Sequence, residues 1–119
     1  MIIIERGEGK KISHSEMGNW LNVGDQLMFN LEKMEDDAAV HIDVMGSANG
    51  KLRESEGVYY VAQIDIPPRA YTEKEIDNPD YDPDQEGSQK KIIERDPVPF
   101  SMDNVTLTLF ELKEGVFDE

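Results

Sequence analysis

Between Asp77 and Glu86 the chain sets out five carboxylates, at Asp77, Asp80, Asp82, Asp84 and Glu86, with Asn78 and Tyr81 among them. Oxygen donors at this density have two chemical uses. They can surround a hard cation, or they can meet a positively charged surface. The first use fails on spacing. Asp80-x-Asp82-x-Asp84 matches the opening of a calcium loop, which supplies alternating oxygen ligands, a glycine at its sharp turn and a bidentate glutamate at its end. Here Gln85 stands where the glycine belongs and Lys91 where the glutamate belongs, and no helical pattern flanks the run. Neither a resident metal nor a cofactor is expected. What remains is charge complementarity, with aromatic anchors supplied by Tyr71 and Tyr81 and an apolar one by Ile76; tyrosines recur as binding hot spots. The candidate partner-binding set is therefore Tyr71, Asp77, Asp80, Tyr81, Asp82, Asp84 and Glu86.

The charge of the whole chain points the same way. Twenty-six acidic residues against twelve basic ones give a net charge of −14 over 119 residues. Residues 72–89 hold seven acidic side chains and a single lysine, whereas residues 58–71 hold one of each sign. Such a field repels phosphate backbones and anionic lipid, so direct binding to nucleic acid or to a membrane is disfavoured, while basic protein surfaces and cations are attracted. The expected partner is a basic protein surface, for instance that of a nucleic-acid-handling protein, which the carboxylates would block or regulate by imitating the charge of DNA. Self-association through a sheet edge or an apolar patch, with the acidic segment as a spacer, is the first alternative, and a metal-dependent or hydrolytic enzyme with its site under the acidic loop is the less favoured second.

Other chemistry is thin. The chain has no cysteine, which excludes disulfides, thiolate metal sites and cysteine nucleophiles and is compatible with a reducing, cytoplasmic setting. His14 and His41 are far apart and show no ligand spacing. His41 alternates with Val40, Ile42 and Val44 and is expected to face solvent. No nucleophile elbow, phosphate loop or dinucleotide fingerprint occurs, so the chain is expected not to be an enzyme. No apolar run reaches the roughly 18 residues of a membrane-spanning helix. Met1 to Ile4 lacks the basic start and longer apolar core of a signal peptide.

These residues must be carried on strands. Val58 to Ile66, ending at Pro67-Pro68, is the longest unambiguous strand: Val58, Tyr60, Ala62, Ile64 and Ile66 form one buried face, and Tyr59 and Val61 suggest cover on the other. Residues 26–32 and 38–46 alternate in the same way, and their short charged link predicts a hairpin, extended by the central strand into a meander. Asn49-Gly50 predicts a tight turn, with Lys51 to Arg53 running back towards the centre. Val105 to Leu112 changes parity midway, which predicts either a bulge near Leu109 or Phe110 or burial on both faces; this strand is the expected neighbour of the central one. Gly115 is expected to end it, with a frayed tail beyond. Ile2 to Ile4 reads as a short buried strand, Lys90 to Arg95 as another, and Asp96 to Pro99 cannot be a central strand. Ser13 and Glu16 have capping-box spacing, which predicts one helical turn through Met17, and Trp20 is expected to plug an end of the core. Residues 69–89 are poor in aliphatic side chains and read as a long, mobile acidic loop.

The expected architecture is a single domain, residues 1–119, that is all-β or β-rich α+β. It would be a small antiparallel sheet, barrel or open sandwich of five or six strands with at most one short helix.

Overall fold

The computed structural model describes residues 1–47 and 49–112; the expectations for Gly115 and the tail lie outside them. The protein is strand-rich, as composition and alternation predict. Among the described residues its ten strands are β1 (Ile2–Arg6), β2 (His14–Met17), β3 (Trp20–Val23), β4 (Leu27–Asn30), β5 (Val40–Gly46), β6 (Leu52–Glu54), β7 (Tyr59–Ile66), β8 (Tyr71–Asp77), β9 (Lys91–Pro97) and β10 (Thr106–Phe110). One helical turn, α1 (Leu31–Met34), follows β4, and a 3-10 turn covers Met102–Asn104. The strands form a five-stranded sheet in the order β1-β10-β7-β5-β6, a three-stranded sheet β2-β3-β4 and a two-stranded sheet β8-β9. Every pairing is antiparallel except that of β1 with β10.

The core is one apolar cluster. Leu21, Val23 and Phe29 of the small sheet join Ile42, Val44, Ile64, Ile66, Leu107 and Leu109 of the large one, and Leu31 and Val105 close it. The central strand β7 is flanked by β5 and β10, as its alternation implies. Its faces are assigned differently, because its register against β5 slips between Val44 and Met45. Val44 pairs with Ala62 but Met45 pairs with Tyr60, leaving Val61 as an extra residue. A bulge of this kind inverts side-chain parity. Val61 is therefore buried with Ala62, Ile64 and Ile66, while Tyr60 turns outward and packs against Phe110 with ring centroids 5.9 Å apart. Val58 precedes the strand and is exposed. On β10, Leu107, Thr108 and Leu109 are all buried, so both faces of that strand are covered.

Four local expectations are corrected. Ser13 to Met17 is not a helical turn: His14–Met17 pairs with Trp20–Val23 across the two residues Gly18 and Asn19. Gly18 has φ +60°, and a glycine at the first position of a two-residue connection suits the hairpin twist, so the turn outcompetes the cap. Trp20 does not plug the core. It lies on the outer face of the small sheet with 43% of its surface exposed, while its neighbour Leu21 is wholly buried. Residues 26–32 and 38–46 do not form a hairpin, because Asn30 caps α1 by accepting a hydrogen bond from the Lys33 amide. That turn redirects the chain from the small sheet to the large one. Ile2, Ile3 and Ile4 do form a strand, but at a sheet edge with all three side chains exposed. Asn49-Gly50 turns β5 into β6, with the Gly50 amide donating to the Ser47 carbonyl.

Candidate functional site

The β8–β9 pair stands apart from this core. Seven rungs join it, from Tyr71 opposite Pro97 to Asp77 opposite Lys91, and its strands pack on each other rather than on the other two sheets. The consequence is an elongated molecule of 76 × 23 × 22 Å with a radius of gyration of 21.4 Å. A compact chain of this length would have about 13–14 Å, so residues 71–97 form an arm. Of residues 69–89, expected to be one long loop, Tyr71–Asp77 is strand and only 78–90 connects. Acidic composition concealed this strand, because two of its three carboxylates, Glu73 and Asp77, are paired across the ladder rather than within it. Glu73 meets Arg95 at 3.3 Å, Lys74 meets Glu94 at 3.3 Å, and Asp77 meets Lys91. Cross-strand charge pairs of this type each contribute a few tenths of a kcal/mol, up to about 1 kcal/mol.

The base of the arm is clamped. Arg69 donates from Nη2 to the Glu35 carbonyl at 2.9 Å and pairs with the Glu35 and Asp37 carboxylates, each at 3.3 Å. Its backbone amide donates to the Asp36 carbonyl at 2.8 Å, and the Val98 amide donates to the Ala70 carbonyl at 2.8 Å. Tyr71 belongs to this clamp: its hydroxyl donates to Asp37, and the Arg95 guanidinium lies 4.4 Å from its ring centroid. Arg69→Gln is expected to lower the melting temperature, because it removes the charged hydrogen bonds at the base of the arm. Its distinctive effect is on orientation. Residual dipolar couplings of residues 71–77 and 91–97 should lose their fixed relation to those of β5 and β7, and an unchanged alignment would show that the clamp is dispensable.

The tip, residues 78–90, is a run of tight turns. The Asn78 side chain accepts from the Asp80 amide at 2.9 Å and donates to the Gln89 carbonyl at 2.7 Å, and Asp82 accepts from the Asp84 amide at 3.0 Å. Asx turns of this kind are why Asn and Asp suit turns. Gly87, at φ +87°, occupies the left-handed region that glycine tolerates best. Asp80, Tyr81, Asp82, Asp84 and Glu86 lie in this tip and are exposed, and Asp77 ends the strand that enters it. Six of the seven candidate residues are thus gathered at one end. Tyr71 is separated from them by the length of a seven-residue strand, about 20 Å. Among the described residues, Asp80, Asp82, Asp84 and Glu86 have no lysine or arginine partner. Also among the described residues, no group of three or more His, Cys, Asp or Glu side chains is arranged to hold a metal ion, and no helix is long and apolar enough to cross a membrane.

Two features escaped sequence reasoning. The Arg69 clamp carried one signal, a lone arginine directly after Pro67-Pro68. The second is His41. It faces outward, as expected, but its ring lies between two carboxylates, with Nδ1 at 2.6 Å from Asp65 and Nε2 at 2.7 Å from Asp43. Asp65 is opposite His41 on β7, and Asp43 is two residues along β5, so strand alternation alone puts all three on one face. Gln63 also donates to Asp43 at 3.0 Å. Hydrogen bonding to Asp65 first and Asp43 second raises the His41 pKa above its ordinary value. The imidazolium is therefore favoured in the folded chain. Its stabilisation is complete below about pH 6.5, the ordinary histidine value, and is lost as pH rises through the raised folded value. His41 is half exposed, so solvent screens the effect. The melting-temperature gap between wild type and His41→Asn should be widest just below about pH 6.5 and should narrow as the pH is raised through the folded value; a gap independent of pH would contradict this.

No protein-family model, no curated protein and no solved structure matches this chain.

Proposed function

We propose that the protein is a non-enzymatic, cytoplasmic interaction protein that offers the tip of its arm to a basic protein surface. The partner class is a groove that otherwise receives phosphate, so that the tip acts as a charge mimic of nucleic acid and blocks or regulates its host. One observation carries this reading. Three ion pairs cross the shank of the β8–β9 ladder, where Glu75 and Asp96 stay unpaired, and Asp80, Asp82, Asp84 and Glu86 gather at the far end of the arm without basic partners among the described residues. Carboxylates that served only solubility would be equally effective spread over the body. A chain without cysteine suits a reducing compartment.

Differential capture from source-cell lysate tests it. Wild-type protein should retain a basic, nucleic-acid-binding protein at about 0.05 M salt and release it by about 0.5 M, because the contacts are charge-led. A variant with Asp77, Asp80, Asp82, Asp84 and Glu86 all converted to amides should not retain it, and added duplex DNA should compete. Equal capture by both forms at both salt concentrations would remove the tip from the account.

A further inference from the structure

Six strands leave one edge of a sheet open among the described residues: β1, β2, β4, β6, β8 and β9. Open edges invite pairing with another chain, and proteins blunt them by shortness, charge, proline or bulges. Five of the six are blunted. β6 has three residues, β2 and β4 have four each, and β8 and β9 each carry four charged residues, with Pro97 ending β9, although Ile92 and Ile93 of β9 are exposed. β1 is not. It has five residues, its first three are isoleucines exposed to 52%, 42% and 38%, and its only charges, Glu5 and Arg6, cancel.

The backbone of β1 is arranged for a partner. The Ile2 amide donates to the Val105 carbonyl at 2.8 Å, and the Arg6 carbonyl accepts from the Glu111 amide at 3.1 Å. In a parallel ladder alternate residues direct both backbone groups to the same neighbour. Ile2, Ile4 and Arg6 therefore face β10, and Ile3 and Glu5 present their N–H and C=O to the open side.

We propose that β1 is a self-association edge, and that two copies pair antiparallel about a twofold axis through Ile3. In that register Ile3 exchanges both of its open hydrogen bonds with the partner's Ile3, and Ile2 and Ile4 lie opposite the partner's Ile4 and Ile2. Every isoleucine meets an isoleucine. An axis through Glu5 would set two carboxylates directly opposite, and an axis through Ile4 would set Arg6 and Glu5 against isoleucines. The self-complementary run of isoleucines selects a second copy as the occupant, and charge selects the register. Two copies of net charge −14 repel, and the uncharged run of β1 lets them touch without placing acid against acid. Salt should therefore strengthen this contact, by screening the long-range repulsion, whereas it weakens a contact made by the arm. Dimerisation would give one assembly two arms and raise its avidity for a repeated or extended basic surface.

A single introduced cysteine tests the register, because the chain has none of its own. Cα atoms of a hydrogen-bonded antiparallel pair lie about 5.5 Å apart, within disulfide range. In the proposed register residue 2 or residue 4 would meet its own copy only diagonally, at about 7–8 Å, beyond that range. Ile3→Cys should cross-link on mild oxidation roughly tenfold faster than Ile2→Cys or Ile4→Cys. Wild type should sediment as a dimer that tightens between about 0.05 and 0.5 M NaCl. Ile3→Lys should sediment as a monomer with an unchanged circular dichroism spectrum. A wild-type monomer at all concentrations up to about 0.5 mM, a dimer that persists in Ile3→Lys, a foreign strand as the sole occupant, or cross-linking fastest at position 2 or 4 would each overturn the proposal.

Discussion

Converting Asp77, Asp80, Asp82, Asp84 and Glu86 together to their amides is expected to lower affinity for a basic protein surface by roughly 60- to 4,000-fold at low salt. Each lost charge contact at an exposed rim removes about 0.5–1 kcal/mol, so five remove about 2.5–5 kcal/mol, and each 1.4 kcal/mol is tenfold. Asp77 should contribute least, since Lys91 already engages it. The control is a variant with five amides on the body, at Glu8, Glu16, Glu54, Glu56 and Asp103, which has the same net charge. If attraction to the net charge alone governed binding, the two variants would weaken it equally. If the tip is the contact, the body variant should lose about tenfold or less. Both should fold as wild type does, because all ten positions are exposed.

The second large effect concerns the body that holds the arm. Leu21→Ala should destabilise the protein by about 3–5 kcal/mol, the cost of opening a cavity where a buried leucine stood. Leu21 is fully buried, and as part of β3 it carries the small sheet into the shared core. A domain of ordinary stability has about 5–15 kcal/mol in all, so urea denaturation should show a large fall in midpoint. Trp20→Ala, one position away, should cost clearly less, about 1–2 kcal/mol, because Trp20 is on the outer face. The opposite ranking would mean that the faces of β3 are assigned wrongly.

Much of the body was legible in the residues, and the reason is alternation. β5, β7 and β10 bury one or both faces, so their apolar residues recur at every second position and cannot fit a helix. The bulge at Val61 was not legible, because Tyr59, Tyr60 and Val61 are all compatible with burial and only the register against Val44 and Met45 separates them. β2 and β3 were hidden by competing signals: Ser13 and Glu16 imitate a helix cap, while Gly18, which makes the turn, resembles a helix breaker. The arm was the largest difference. A strand in an exposed two-stranded ladder has no buried face, so Tyr71 to Asp77 shows no apolar stripe, and its order comes from pairing with a segment that begins fourteen residues further on, at Lys91. The acidic tip was visible from composition, but its distance from the body was not. Tyr71 looked like part of the same cluster because sequence proximity was the only ruler available, and seven extended residues set it at the opposite end of the arm.

Central to the account is that a basic partner touches the protein at the arm's tip and nowhere else to a comparable degree. Backbone amide spectra recorded during titration with a ten-lysine peptide measure this residue by residue. At about 0.05 M NaCl the largest shift changes should fall between Asp77 and Glu86, and at about 0.5 M they should vanish. Changes centred on β5 and β7, or changes equal at both salt concentrations, would contradict it.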